Sequence, residues 1–318
     1  MNAKRATVYK PYRGIVPPLI TPLTEEETLD MEALGNLIEH CIQAGVHGVF
    51  TMGSSGEAME VTTEVWLETI KETLRIVGGR IPVFCGVIDS CTSRVLERIR
   101  MAEDVGAEHI VVVPPFYLNV SSQDEIIRHF EMICSKTTLK VVAYNIPQMT
   151  HANILPETIK KIAEFDNLVM YKDSSSDWEQ FQRNLFLLEG SKISLFNGAE
   201  ELCAPAMIFG ADGCVPGLAN FFPELFVSMY DAALREDIQE VYRYQKQIWE
   251  LRKVLFVGSS WMSAMKYLGF LYGYGIGKVS TPVEPLTLKE KEELYCMLLK
   301  AHDQYGVKIP ELQRGIIV

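Results

Sequence analysis

The chain has 318 residues, 48% of them apolar, and its 30 Lys plus Arg against 41 Asp plus Glu leave a net charge of −11. A chain of this length can bury about three quarters of its unfolded surface, so its core needs no disulfide or metal staple. The acidic balance argues against a phosphate-backbone partner, which calls for a basic face, and no nucleic acid is expected.

Seven cysteines, Cys41, Cys85, Cys91, Cys134, Cys203, Cys214 and Cys296, form no CxxC pair and sit mostly in apolar contexts. They read as reduced core thiols of a cytoplasmic protein. No apolar h-region precedes Pro11, and the apolar stretch 202–234 is interrupted by Pro205, Asp212, Pro216, Pro223 and Glu224. Neither a signal peptide nor a membrane span is therefore expected.

Taken in chain order, short apolar runs at 14–19, 48–52, 82–87, 109–113, 140–144, 168–171, 193–196 and 213–215 alternate with helical patterns. Several runs are continuous, as in Ile110-Val111-Val112-Val113, which suits parallel strands covered on both faces. Asp30 precedes an apolar stripe of Leu34, Leu37, Ile38, Cys41 and Ile42, and is a good N-cap. Ser122 and Glu125 have capping-box spacing before Ile126, Ile127 and Phe130. Helices run out into Gly45, Gly78-Gly79 and Gly106, where glycine can end a helix in the left-handed conformation. Eight strands with helices between them predict an α/β fold, a (β/α)8 TIM barrel, rather than a doubly wound sheet, whose Gly-rich phosphate turn is absent. Beyond about Pro223 only helical patterns remain. The division expected is a barrel carrying the active site over 1–235 and a C-terminal helical appendix over 236–318, packed on the barrel.

Several motifs fail on inspection. Gly53-Ser54-Ser55-Gly56-Glu57 lacks the last glycine of a nucleophile elbow and the Gly-Lys-Ser/Thr of a P-loop. The glycines of 273–277 miss dinucleotide spacing and suit a helix–helix turn. Six histidines show no metal-ligand pattern, so no metal is expected.

Polar residues at the carboxyl ends of strands remain, where barrel enzymes keep their chemistry. Ser54 and Ser55 lie on a glycine-flanked turn whose hydroxyls and N–H groups could nest a carboxylate; a plain β→α turn is the alternative. Tyr144, in Tyr144-Asn145-Ile146-Pro147, points a phenol at the barrel mouth, or is a core aromatic with a satisfied hydroxyl. Lys172, in Tyr171-Lys172-Asp173-Ser174, closes the apolar strand Leu168-Val169-Met170. Burial there lowers an amine's pKa and leaves it able to attack a carbonyl, unless the side chain snorkels out or pairs with Asp173.

The order and spacing of Ile20-Thr21-Pro22, Gly53–Glu57, Pro115-Phe116-Tyr117, Tyr144–Pro147, Tyr171–Ser174 and Gly210-Ala211-Asp212-Gly213 resemble the pyruvate-dependent class I aldolases, the superfamily of dihydrodipicolinate synthase and N-acetylneuraminate lyase. The resemblance spans nearly the whole chain. It implies a lysine Schiff base at Lys172 with no metal or other cofactor, a proton-relaying Tyr144, and Ser54 linking Tyr144 to Tyr117. It also implies that Tyr117 reaches the site of a neighbouring subunit in a homo-oligomer, a dimer or a tetramer built as a dimer of dimers. Ser55 and the backbone around Val215 match positions that hold a 2-oxo acid.

One departure bears on substrate. Dihydrodipicolinate synthases typically carry an arginine two residues after the proline of Tyr-Asn-x-Pro, and here Met149 stands there, unable to supply a charge. With Glu200 and Glu201 after Asn197-Gly198, that favours cleavage of a 2-keto-3-deoxy sugar acid or a sialic-acid-like substrate over condensation of pyruvate with aspartate semialdehyde. The acidic pair could equally be a helix N-terminus favoured by negative charge. A non-catalytic 2-oxo acid binder has no use for the relay residues, and a phosphate-sugar enzyme would need a Gly-rich turn near the eighth strand, where Pro216-Gly217-Leu218 stands.

Overall fold

A computed structural model describes residues 10–118 and 122–309. Eight parallel strands, β1 (Gly14–Ile15), β2 (Val49–Thr51), β3 (Val83–Gly86), β4 (His109–Val112), β5 (Lys140–Asn145), β6 (Leu168–Asp173), β7 (Ser194–Asn197) and β8 (Gly213–Cys214), follow one another with helices between them. The hydrogen-bonded order β1-β8-β7-β6-β5-β4-β3-β2 leaves β1 and β2 as the two ends of the sheet. They meet through the chain just after β1: Phe50 N donates to Pro17 O at 2.9 Å, and Leu19 N donates to Phe50 O at 2.8 Å. A sheet closed in this way has no exposed edge. Five of the predicted runs contain their strands, while β5, β6 and β7 extend beyond theirs to Asn145, Asp173 and Asn197.

Two apolar layers follow from strand alternation, which sends successive side chains to opposite faces. Inside the barrel, Tyr12, Val16, Phe50, Phe84, Val111, Val142, Tyr144, Met170, Phe196 and Val215 pack together. Outside it, strand residues such as Ile110, Val112, Ala143 and Tyr171 pack against the helices. The helix caps are as the sequence predicts: Asp30 accepts from Ala33 N, and Ser122 and Glu125 form a reciprocal capping box.

After helix Pro223–Leu234 come Ile238–Arg252, Trp261–Leu271 and Leu288–Tyr305. Leu251, Val254, Met265, Leu268, Leu294 and Leu298 are fully buried and continuous with the outer core. Among the described residues no single helix is long and apolar enough to cross a membrane. Four cysteines are buried, but Cys91 and Cys296 are exposed, so the expectation of core thiols does not extend to them.

Candidate active site

The register of β5 on β6 sets Tyr144 opposite Lys172 and Asn145 opposite Asp173. Met170 faces the barrel interior, so Lys172, two residues on, faces it too, while Asp173 faces out. Alternation therefore denies Lys172 its sequence neighbour as an ion-pair partner. Asp173 instead accepts from Asn145 Nδ2, Ser175 N, Gln180 Nε2 and Asn184 Nδ2 at 2.9–3.3 Å, which anchors the end of β6. Burial pushes the pKa of Asp173 up, and these donors oppose it.

Lys172 is 4% exposed, and its Nζ lies 3.9 Å from the Tyr144 ring centroid and 4.9 Å from that of Phe50. Burial holds the amine below the usual lysine range, while Tyr144 and the charge of Glu200 act the other way. An amine that burial makes easier to deprotonate, set beside a phenol, has both a nucleophile and a proton carrier within reach.

These residues line a cavity of about 280 Å³ at the carboxyl ends of the strands. Its wall includes Ser54, Ser55, Tyr144, Met149, Lys172, Gly198, Glu200 and Val215, all singled out from the sequence. Of the others, Glu201 follows Glu200 but is not on the wall, and Tyr117 lies apart. It is 91% exposed and takes φ of +74°, a conformation a bulky aromatic rarely adopts. It does not line the cavity.

The serine turn is held under strain. Met52 and Glu57, at its two ends, have φ of +54° and +55°. Glu57, buried, accepts from Ser280 N at 2.8 Å and pairs with Lys266 of the C-terminal helices, fixing the turn from outside the barrel. Gly198 makes room for the lysine: a Cβ there would overlap Ser174 Oγ and lie 2.9 Å from Lys172 Cε.

Glu200 and Glu201 divide their roles. Glu200 Oε1 accepts from Leu218 N at 3.1 Å, capping the turn after β8 rather than its own helix, and burial raises its pKa. Glu201 accepts from Ser176 Oγ at 3.0 Å and pairs with Arg252. The Val215 N–H is engaged by the Asn197 carbonyl at 2.8 Å, so Val215 offers the cavity its other atoms, not that donor.

Arg252, Leu255, Phe256, Trp261 and Met265 also line the cavity and were not singled out from the sequence. They come from the C-terminal helices, which roof the barrel mouth, and no local motif marks them. Among the described residues no group of three or more His, Cys, Asp or Glu is placed to hold a metal ion.

The chain matches the model of the dihydrodipicolinate synthetase family over residues 11–301. A protein of Methanocaldococcus jannaschii named 4-hydroxy-tetrahydrodipicolinate synthase is 28% identical, over 90% of this chain and 98% of that protein. The structure of dihydrodipicolinate synthase from Bacteroides thetaiotaomicron is 34% identical with a TM-score of 0.87, covering 92% of this chain and 99% of that one. YagE, a prophage protein of E. coli K12 belonging to the dihydrodipicolinic acid synthase family and solved in complex with pyruvate, is 26% identical with a TM-score of 0.87, covering 91% and 98%. The chain thus belongs to the dihydrodipicolinate synthetase family, pyruvate-dependent class I aldolase-type enzymes that work through a lysine Schiff base and no metal.

Proposed function

We propose that this chain condenses pyruvate with an aldehyde through a Schiff base on Lys172, and that the aldehyde is aspartate semialdehyde. The observation that carries the reading is the buried Lys172 nitrogen 3.9 Å from the Tyr144 ring, in a cavity shared with Ser54 and Ser55.

The pyruvate carboxylate rests on the Ser55 turn, with its ketone beside Lys172. The neutral amine adds to the ketone carbon, giving a carbinolamine that loses water to an iminium. The methyl carbon then gives up a proton, and the iminium becomes an enamine. That carbon attacks the aldehyde carbon, forming the new C–C bond as the aldehyde oxygen takes up a proton. Water finally hydrolyses the iminium and frees the amine. Tyr144 carries the protons, and Ser54 connects it to Tyr117 of a neighbouring subunit in a homo-oligomer. Gly198 and Glu200 border the space left for the aldehyde. A positioned proton carrier is worth about 10²- to 10⁴-fold in rate.

The names carried by the relatives support the synthase reading over cleavage of a sugar acid or sialic-acid-like substrate, the reading that Met149 and the acidic pair favour. Met149 does line the cavity, so the second reading keeps one specific observation. The test has two parts. Borohydride with pyruvate traps an adduct on Lys172 that is missing from Lys172→Ala. Pyruvate consumption with aspartate semialdehyde is compared with pyruvate release from 2-keto-3-deoxy sugar acids and N-acetylneuraminate. Release without consumption reverses the choice of substrate, and no adduct overturns the mechanism.

A further inference from the structure

Apart from Lys172, Arg252 is the one cationic side chain on the cavity wall among the described residues. We propose that Arg252 is the specificity residue of this site, gripping an anionic group, a carboxylate, at the far end of the aldehyde partner. The inference rests on the Schiff-base reading and names the residue that holds the carboxylate of the second substrate.

Three features support it. The guanidinium is oriented before any ligand arrives: its Nε lies 3.0 Å from Glu201 Oε2, and its carbon sits 4.9 Å from the Phe256 ring centroid. Glu201 in turn accepts from Ser176 Oγ at 3.0 Å, so the carboxylate that faces Arg252 is held from two sides. Beyond that ion pair, among the described residues the terminal nitrogens make no hydrogen bond to a protein atom, and the buried carboxylate of Glu200 acts on the guanidinium by charge alone. A planar fork with free N–H groups matches the two oxygens of a carboxylate.

The setting strengthens that match. Leu255, Phe256, Trp261 and Met265 share the cavity wall with Arg252, and Arg252 is itself about three-quarters buried, so a charge-assisted hydrogen bond made there is stronger than it is in water. The overall charge of −11 repels anions at long range, so an anionic substrate needs a local cation at the mouth. The lysine does not serve, because it must shed its proton to react. A purely structural account, in which a cation at the end of helix Ile238–Arg252 simply meets the helix dipole, explains a basic residue there but not its place on the cavity wall.

The probes are 2-oxo acids that carry the frame of a condensation product. Borohydride trapping on Lys172 is titrated with 2-oxoglutarate, 2-oxoadipate and 2-oxopimelate, each against the 2-oxo monoacid of the same length, and with pyruvate as the reference. At least one dicarboxylate is expected to half-saturate roughly 10- to 100-fold lower than its monoacid, the range of a hydrogen bond to a charged group. Arg252→Met should abolish that preference while leaving the half-saturation for pyruvate in place, and Arg252→Lys should keep part of it. Thermal melts of both variants report any loss of folding, which a structural role would move and the preference would not. A pyruvate adduct without dicarboxylate preference in the wild type, or a preference that survives Arg252→Met, overturns the assignment alone. A missing pyruvate adduct overturns the Schiff-base reading first and this inference with it.

Discussion

Glu57 and Lys266 meet at 2.5 Å with each side chain 2% exposed, and that contact joins the serine turn of the site to the C-terminal helices. Burial pushes the pKa of Lys266 down, and the neighbouring carboxylate opposes it. Lys266 also donates to the Thr21 carbonyl, so three segments distant in sequence converge on one amine. Removing one partner of a buried pair strands the other charge, at a cost of about 3–5 kcal/mol. Lys266→Met is therefore expected to lower stability by about that amount in urea melts, and Glu57→Gln with Lys266→Met should recover part of it. A single variant as stable as the wild type would rule out the pinning role.

The shifted lysine of the site makes a prediction of opposite sign. Lys172 has a folded pKa below its ordinary 10.5, held down by burial. The folded state thus resists its protonation: stability from this group is full above 10.5 and is lost as pH falls through the folded value. Lys172→Met should accordingly be more stable than the wild type at neutral pH, by about 0.5–2 kcal/mol, and inactive. The gain should shrink as pH climbs towards the free lysine value, and chemical melts across that range test it. Over the same range the wild type should form its pyruvate adduct faster, as the neutral fraction of the amine grows.

Much of this was legible from the chain because parallel strands buried on both faces leave continuous apolar runs, and because barrel chemistry sits where those runs end. Even β1 and β8, only two residues long, could be found from their apolar surroundings. Lys172 stood at the end of one such run, and the strand register then turned its amine inward. What stayed hidden depends on contacts between distant segments. Arg252 closes an ordinary amphipathic helix, and nothing in its neighbourhood announces that the helix roofs the barrel mouth. Glu57 reads as the end of a turn until Lys266, 209 positions away, is placed beside it. The role of Asp173 as an outward anchor depends on Asn145, Gln180 and Asn184 arriving from three elements.

The phenol of Tyr144 is separable from its ring. The ring packs in the barrel interior with Phe50, at 6.1 Å between centroids, and Tyr144→Phe keeps that contact. The variant should melt near the wild type and turn over about 10²- to 10⁴-fold more slowly. Wild-type-like turnover would remove Tyr144 from the relay.

Gly198 offers a test of space. An added methyl would press on Ser174 and on the lysine stem, and overpacking of this kind costs about 1–3 kcal/mol. Gly198→Ala is expected to weaken pyruvate trapping on Lys172 more than it lowers the melting temperature. Unchanged trapping would show that the amine can move aside.

The exposed Tyr117 calls for an experiment on mixed subunits, because its φ of +74° and 91% exposure present its side chain outward from a single chain. If it serves a neighbour's site, Lys172→Ala and Tyr117→Ala subunits complement each other. In a mixed dimer, one site combines both defects, while the other combines the intact lysine of one subunit with the intact tyrosine of its partner. Random mixing of the two inactive proteins should then restore about a quarter of wild-type activity, since half the dimers are mixed and each has one good site. Should Tyr117 act only within its own chain, every site in the mixture keeps a defect and activity stays at the level of the separate variants. Activity after mixing, measured against subunit exchange followed by mass, decides between the two.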